Sequence, residues 1–196
     1  MRFRLLALFF PALLAACNDP EVPSGPPELT PPPDVATKGF LTAYVEETVP
    51  MSIIELRAFI AEEPLISFLQ PTENISNPVA SEVLQGNWPD PGAIRWLRLD
   101  DGHYVIERVI ENAPAFFKYQ VFIFTNSTGR GVEQIVGEQR FVPVEDGTRF
   151  EWSYNVLPRN MIARQIVRRN MPEIEAYITG GLLSFAAAAR AAKASQ

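Results

Sequence analysis

Two strands joined by a tight turn are encoded in the stretch GAIRWLRLDDGHYVIERVIE, residues 92–111. The triplet Asp-Asp-Gly at 100–102 separates two strand-like halves and is typical of a three-residue hairpin loop with its glycine in the left-handed conformation. This loop sets Arg95 opposite Glu107, whereas a slip of one residue would set Arg95 against Arg108. Because like charges directly opposite each other are unfavourable, we predict the first register.

More strands are predicted on the C-terminal side of this hairpin. They cover 116–124, 132–144 and 148–156, with a turn at 127–131 between the first two. In the last strand Phe150, Trp152 and Tyr154 alternate with polar residues, which is the period of a sheet with one buried face. The sequence therefore predicts an antiparallel meander with an aromatic inner face.

A second hairpin is predicted where the last strand begins. The Asp-Gly dipeptide at 146–147 is a common two-residue hairpin turn. Such a turn sets Trp152 opposite Phe141. Phe150 then lies opposite Pro143, and the side chains of Phe150 and Trp152 face the same side.

Composition and charge limit the classes of function. The 196 residues suffice for one domain that buries roughly two-thirds of its unfolded surface. The chain has 17 basic and 23 acidic residues, and loss of an N-terminal segment with Arg2 and Arg4 would leave 15 basic residues and a net charge of −8. That balance argues against duplex nucleic acid as a partner. One cysteine, Cys17, and one histidine, His103, exclude a Cys/His zinc site or a Cys–His dyad, and no metal or cofactor is predicted.

The first 16 residues are predicted to be an export signal. Two arginines precede the apolar run at 5–14, which is too short to span a bilayer. The sequence Leu-Ala-Ala-Cys at 14–17 resembles the lipobox of bacterial lipoproteins, which are cleaved before the cysteine and carry lipid on it. We therefore expect Cys17 to be the lipidated first residue of a cell-envelope protein, the alternative being an ordinary secretory signal with an incidental cysteine. Asn18 after it favours the outer membrane if the host has two membranes.

A proline-rich segment follows, with seven prolines between Pro20 and Pro33. Together with the lipidated Cys17, residues 17–37 are predicted to form a tether, either semi-extended with a rise of about 3.1 Å per residue or a disordered spacer. The folded domain is predicted over 38–196.

The remaining elements complete the predicted order. A strand is expected over 40–49, a helix after a capping box of Ser52 and Glu55, a brief helical turn over 64–69 and a strand over 78–88. The segments 159–169 and 172–193 are predicted to form one helix kinked at Pro172 or two helices, with Asn170 as a cap.

Three stretches carry a resemblance to a known superfamily. They are PGAIR at 91–95, Asp101-Gly102 with Glu107, and VPVEDGTRFEW at 142–152. With the order of elements over 38–193, they resemble the helix-grip SRPBCC superfamily, which includes START lipid-transfer domains, plant pollen allergens and polyketide cyclase/dehydratase-like proteins. The resemblance implies an α+β fold in which a curved antiparallel sheet wraps around the long C-terminal helix and leaves an apolar cavity. Its motifs are turn glycines and strand residues, so they indicate the fold more than an activity.

The implied cavity has a set of candidate ligand-binding residues. These are Arg95, Leu97, Val105, Glu107, Tyr119, Phe141, Trp152, Tyr154, Ile178, Gly181 and Phe185. Arg95 and Glu107 either orient a ligand's carboxylate or hydroxyl, or form a structural ion pair that fixes strand register. No catalytic residue is assigned, although Glu138 and Glu151, or Tyr119 and Tyr154, could act as acid or base in such a cavity. The alternative is that the glutamates are solvated strand residues and the tyrosines belong to the core.

Three classes of function remain open. The first is a lipid-anchored protein that binds or carries a small hydrophobic, lipid-like ligand, favoured because the sequence shows no catalytic constellation. The second is a polyketide cyclase/dehydratase-like enzyme, and the third is an envelope protein-interaction module with a closed aromatic core. Arg164, Arg168 and Arg169 share a helical face that could rest on anionic headgroups or be solvated. His103 is expected beside the hairpin turn, outside any pocket.

Overall fold

A computed structural model describes residues 20–195, so the predicted signal segment and Cys17 lie outside the described residues. Its elements are β1 (Leu41–Val49), α1 (Ile53–Glu62), a 3₁₀ turn (Leu65–Phe68), β2 (Pro78–Gln85), β3 (Ile94–Leu99), β4 (Tyr104–Ala113), β5 (Phe116–Phe124), α2 (Thr128–Gly131), β6 (Val132–Val144), β7 (Gly147–Pro158) and α3 (Met161–Ala194). The strands form one antiparallel sheet in the order β1-β7-β6-β5-β4-β3-β2. This curved sheet with a long C-terminal helix confirms the predicted α+β class.

Two local predictions in the first half of the domain are confirmed. The Ser52 hydroxyl accepts a hydrogen bond from the Glu55 N–H, and the Glu55 carboxylate accepts one from the Ser52 N–H. In the β3–β4 hairpin Arg95 lies opposite Glu107, and Gly102 has a φ of +84°. The central hairpin therefore has the register and the glycine conformation that its sequence encodes.

The predicted register of the β6–β7 hairpin is wrong by two residues. Val144 pairs with Gly147, so the two turn residues lie between them, and Phe150 lies opposite Phe141. Gly147 is needed inside β7, because its φ is +138° and a Cβ atom there would lie 2.1 Å from the carbonyl oxygen of Val49. Since the error is an even number of residues, every side chain keeps its predicted face.

The long C-terminal helix begins earlier than its predicted cap. The side chain of Asn160 accepts a hydrogen bond from the Ala163 N–H at 2.9 Å and caps α3, whereas the predicted cap, Asn170, lies inside the helix. The cap is Asn160 because β7 ends at Pro158 and leaves only a two-residue connection. Pro172 also lies inside α3, which is one helix of 34 residues and not two.

Two hydrophobic clusters divide the space between the sheet and α3. The first joins β1, the hairpin ends of β6 and β7, α1 and the C-terminal half of α3. In this cluster the Phe150 and Phe185 rings meet edge to face, with their centroids 5.7 Å apart. The second joins β3 to β7 with the N-terminal half of α3 through Val167. The two halves of α3 thus lie in different surroundings: one is in the packed core and the other faces the middle of the sheet.

Residues 20–37, which we call the strap, run from the β3–β4 turn, where Val22 lies, along the sheet face opposite α3. Leu29 packs on a cluster of Ile94, Ile106 and Phe122 on that outer face. The Arg108 guanidinium donates a hydrogen bond to the carbonyl oxygen of Pro33 at 2.8 Å. The prediction of a tether that stands apart from the domain therefore has to be corrected, although the strap contains no helix or strand.

The strap is held because its chemistry matches that of the sheet beneath it. Proline offers a carbonyl acceptor without an N–H donor, and the outer face supplies side-chain donors. Gln134 Nε2 donates to the carbonyl oxygen of Asp34 at 3.2 Å, and Gln134 Oε1 accepts from the N–H of Ala36 at 3.3 Å and from Gln120 Nε2 at 2.8 Å. Both glutamines are almost fully buried, and these bonds satisfy them.

Two neighbouring glycines of α3 give a stability prediction with an internal control. A Cβ at Gly180 would meet nothing within 4 Å, whereas one at Gly181 would lie 2.6 Å from Leu69 Cδ2. We expect Gly180→Ala to raise the free energy of unfolding by about 1 kcal/mol, because alanine is the better helix former. Gly181→Ala should give less than this or lower the stability, since Leu69 has to move. Urea unfolding of both variants measures the difference, and equal gains would contradict the close contact.

Candidate functional site: a cavity between the sheet and the long helix

A cavity of about 1310 Å³ lies between the sheet and the N-terminal half of α3. Its apolar wall includes Leu97, Leu99, Val105, Val121, Ile135, Val156, Val167 and Ile174. Pockets for drug-sized ligands occupy roughly 300–1,000 Å³. This cavity is therefore large enough for a molecule of lipid size.

Seven of the eleven predicted cavity residues line this cavity. They are Arg95, Leu97, Val105, Glu107, Tyr119, Trp152 and Tyr154. The structure places the other four, Phe141, Ile178, Gly181 and Phe185, outside its wall. Phe141, Ile178 and Phe185 belong to the packed core cluster, and Gly181 lies against Leu69. The apolar stripe of α3 was predicted correctly as buried, but its C-terminal half packs against β1 and β7 and leaves no space there.

Sequence reasoning missed the half of α3 that does line the cavity. Ala163, Val167, Asn170 and Ile174 lie on the wall at spacings of four, three and four residues, which is a helical stripe visible in the sequence. His103 lies beside the β3–β4 turn as predicted, but the expectation that it lies outside any pocket is wrong. It is 6% exposed and lines the cavity, with Nδ1 3.1 Å from the Thr125 hydroxyl.

Arg95 and Glu107 form a buried ion pair on the cavity wall. The Arg95 Nε donates to Glu107 Oε1 at 2.5 Å, and the two side chains are 12% and 5% exposed. The Trp88 ring, from the loop before β3, lies 3.7 Å from the guanidinium carbon of Arg95. The ion pair and the cation–π contact offset the cost of removing both charges from water. The pair adds no net charge to this mainly apolar part of the sheet wall.

Two tyrosines lie near this ion pair on the sheet, and together they form what we call the polar patch. A Cβ at Gly137 would lie 2.1 Å from Tyr119 Cζ, so the Tyr119 ring occupies the space above this glycine of β6. Burial, and then the nearby Tyr154 and Glu107, raise the pKa of Tyr119 well above its usual value. Burial and the negative charge of Glu107 likewise raise the pKa of Tyr154. Both hydroxyls therefore keep their protons at neutral pH and can donate hydrogen bonds.

The indole of Trp152 adds an unused donor to the patch. Within residues 20–195, its Nε1 is the buried side-chain nitrogen or oxygen that makes no hydrogen bond of normal geometry, although it lies close enough to the Tyr119 hydroxyl to lower the pKa of that residue slightly against the effect of burial. Trp152 is 3% exposed and lines the cavity, with its ring 6.0 Å from that of Tyr154. Leaving a buried donor unpaired costs about 1–3 kcal/mol. An oxygen atom of a bound molecule would remove that cost.

The described part of the chain offers neither a cluster of metal ligands nor a membrane-spanning helix. Over residues 20–195, no group of His, Cys, Asp and Glu side chains could hold a metal ion. In the same range, no helix is long and apolar enough to cross a bilayer.

Comparison with known proteins identifies a family. A family model described as polyketide cyclase / dehydrase and lipid transport matches residues 44–190. That range begins in β1, ends in α3 and contains every cavity-lining strand. Among curated proteins, none matches the chain significantly.

Solved structures with a related fold include two that each align with about three-quarters of this chain. A protein from Nitrosospira multiformis is 17% identical with a TM-score of 0.55, and the alignment covers 75% of this chain and 94% of that one. The crystal structure of Ara h 8.0201 is 19% identical with a TM-score of 0.49, covering 74% and 99%. At these identities the likeness to the Nitrosospira protein concerns the fold alone.

The buried ion pair gives a testable energetic prediction. Replacing Arg95 by methionine or Glu107 by glutamine should each cost about 3 kcal/mol of unfolding free energy, because one buried group is left without its partner. The double variant should cost clearly less than the sum.

The matched control is the more exposed cross-strand pair Lys118–Glu138, whose side chains are 25% and 24% exposed. Its double-mutant cycle, measured by the same urea titrations, should give a coupling below about 1 kcal/mol. Equal coupling in the two cycles would show that Arg95 and Glu107 interact no more strongly than a surface pair.

Proposed function

The chain belongs to the polyketide cyclase / dehydrase and lipid transport family of the helix-grip SRPBCC superfamily, and on that premise we propose that its domain binds or carries a small hydrophobic, lipid-like molecule in the cavity beneath α3. The family description supports a ligand-binding domain. The size and the lining of the cavity support the lipid-like character of the ligand.

The observation that carries this proposal is a cavity of about 1310 Å³ whose wall on the sheet is mainly apolar, with a polar patch around Arg95 and Glu107. Other polar side chains, among them Asp101, Asn126 and Glu173, lie on the loops and the helix that frame the cavity. Such a wall suits a ligand with an extended apolar body and a single polar group. The patch combines the Arg95–Glu107 pair with the hydroxyls of Tyr119 and Tyr154. Because the ion pair has no net charge, the patch favours a neutral polar group over a free charge.

Trp152 narrows the chemistry of that polar group. An indole N–H is a donor only, so its partner has to be an acceptor such as a carbonyl, ester or hydroxyl oxygen. The raised pKa values of Tyr119 and Tyr154 make these residues donors as well at neutral pH. The patch is therefore built to hold an acceptor oxygen, which favours binding over proton abstraction by a tyrosine.

We further propose that the protein is attached to a membrane of the cell envelope through lipid on Cys17. The support is the Leu-Ala-Ala-Cys sequence after a short apolar run. Two or three acyl chains, at about 0.8 kcal/mol per buried methylene group, would anchor the chain stably. In a host with two membranes, Asn18 favours the periplasmic face of the outer one.

Removal of the indole donor tests the ligand site. Trp152→Phe keeps an aromatic ring at this position but removes the N–H together with part of the indole, and Trp96→Phe is the control with the same loss of size on the outer face. We expect residues 20–196 to bind an environment-sensitive naphthyl ketone, and Trp152→Phe to weaken binding about fivefold, the effect of one neutral hydrogen bond. Trp96→Phe should leave the affinity unchanged. Fluorescence titration gives all three dissociation constants, and no binding by the unaltered protein would overturn the proposal.

Replacement of the single cysteine tests the anchor. Cys17→Ala should block lipid attachment and move the protein from the detergent-extracted membrane fraction to the soluble fraction. Immunoblotting of fractionated cells, with mass spectrometry of the N-terminal peptide, measures both effects. An unchanged distribution of Cys17→Ala would show that the protein is not held by lipid on this residue.

A further inference from the structure

The strap brings the N-terminal end of the domain to one end of the cavity. Pro20 and Val22 both line the cavity. A Cβ at Gly102, in the β3–β4 turn, would lie 2.9 Å from a methyl group of Val22. Hydrogen bonds from Arg108, Gln120 and Gln134 to strap carbonyls fix the following residues. The start of the strap is therefore held at the β3–β4 turn.

Very little chain separates this point from Cys17. The three steps from Cys17 to Pro20 can span at most about 11 Å, even fully extended. A lipid on Cys17 would therefore hold this end of the cavity close to the bilayer surface, whatever conformation the intervening residues adopt.

The same end of the cavity is continuous with the start of α3. Asn126 Nδ2 donates to Asp101 Oδ2 at 3.5 Å and links the β3–β4 turn to the end of β5. The Arg159 Nε donates to the carbonyl oxygen of Gly129 at 2.6 Å and links α2 to the segment before α3. These contacts join Val22, the two turns and the first turns of α3 into one edge, which we call the rim.

The rim carries exposed apolar side chains. Met161, Ile162 and Ile166 are 70%, 78% and 57% exposed. Ile162 and Ile166 are one helical turn apart and also line the cavity. Large apolar residues that are exposed to water and flank a cavity opening indicate contact with an apolar phase.

The charge of the rim differs from that of the whole chain. Between residues 152 and 172 there are four arginines, at 159, 164, 168 and 169, and no acidic residue, in a chain with a net charge of −6. Arg164, Arg168 and Arg169 form no ion pair with a carboxylate of residues 20–195 that would neutralise them. Exposed apolar side chains beside unneutralised arginines are typical of a surface that contacts anionic lipid.

Three of the four acidic residues that line the cavity, Asp101, Glu107 and Glu173, are engaged within the protein, and the fourth is Glu73. Asp101 accepts hydrogen bonds from the Ser76 hydroxyl and the His103 N–H. Glu173, further along α3, accepts from Thr72 and Asn74. These carboxylates hold the loops around the cavity together, and the arginines of the first turns of α3 dominate the rim.

We propose that the rim docks on a phospholipid bilayer with anionic headgroups, so that the cavity opens towards the membrane that anchors the chain. Ile162 and Ile166 enter the interface, and Arg169, two helical turns from Ile162 on the same side of α3, contacts lipid phosphates together with the neighbouring Arg168. Arg164 donates to the carbonyl oxygen of Gly39 at 2.7 Å and adds positive charge behind them. A lipid-like ligand then passes between bilayer and cavity without crossing water. This inference rests on the proposed anchor and ligand cavity and adds the orientation of the domain.

Site-specific labelling of the full chain tests this orientation. A cysteine is introduced by Ile162→Cys, by Ile166→Cys, or by the control Leu183→Cys, which is also exposed on α3. Positions 162 and 183 are about 32 Å apart along the helix at 1.5 Å per residue. Each thiol is labelled with nitrobenzoxadiazole, while lipid on Cys17 blocks the native thiol. The proteins are reconstituted into phosphatidylcholine vesicles with and without 30% phosphatidylglycerol.

Brominated acyl chains should quench the label at 162 and 166 at least threefold more than at 183 when the vesicles contain phosphatidylglycerol. Replacing Arg168 and Arg169 by glutamate should abolish most of that difference, because each arginine near an anionic surface favours binding about fivefold.

Vesicle flotation is measured in parallel. Flotation with equal quenching at 162, 166 and 183 would overturn the orientation and leave the anchor standing. Failure to float would overturn the anchor and the orientation together, whereas dye binding by residues 20–196 separately decides the ligand cavity.

Discussion

The cavity depends on how one half of α3 packs. Ile178, Leu182 and Phe185 are fully buried against β1, β7 and α1, and the bare backbone at Gly181 lets the helix approach Leu69 closely. This contact fixes the direction of a helix 34 residues long. The N-terminal half cannot then follow the curved sheet equally closely, and its inward side chains are small or β-branched at Ala163 and Val167. The space left between this half and the middle of the sheet is the cavity. Dense packing at one end of the helix is thus the condition for open space at the other.

The polar patch follows from the same geometry. Strands β3 and β4 lie under the open half of α3, so a charge on their inner face is removed from bulk water and needs a partner on the sheet itself. Arg95 and Glu107 solve this by pairing across the two strands, with Trp88 covering the guanidinium. The Tyr119 ring lies over Gly137 and points its hydroxyl toward the same region, and the Trp152 N–H is left without an acceptor. A mainly apolar sheet wall with a group of donors at its centre favours a ligand whose polar end lies at these donors.

Local patterns in the sequence predicted much of this, and long-range packing accounts for the rest. The β3–β4 register followed from two local features of one hairpin. One is the turn triplet, and the other is the need to avoid placing Arg95 opposite Arg108. The β6–β7 register failed because Gly147 serves a contact with Val49, nearly a hundred residues away in sequence. The most apolar stripe of α3, which includes Ile178 and Phe185, was predicted to line the cavity. In the structure this stripe belongs to the half of the helix that packs tightly in the core. The strap was mistaken for a tether, because proline-rich composition says nothing about whether a nearby surface supplies matching donors.

The strap also changes what the outer face of the sheet presents to other molecules. Ile94, Ile106 and Phe122 form an apolar cluster there, covered by Leu29. Beside them, Gln120 and Gln134 are buried under the strap and bonded to it or to each other. A chain shortened to begin at Lys38 would keep every described helix and strand but expose this apolar patch. It would also expose the two glutamine side-chain amides, which would lose their hydrogen bonds to the strap. Self-association through the bared face would follow. The segment that looks most dispensable in the sequence is thus what keeps one side of the sheet inert.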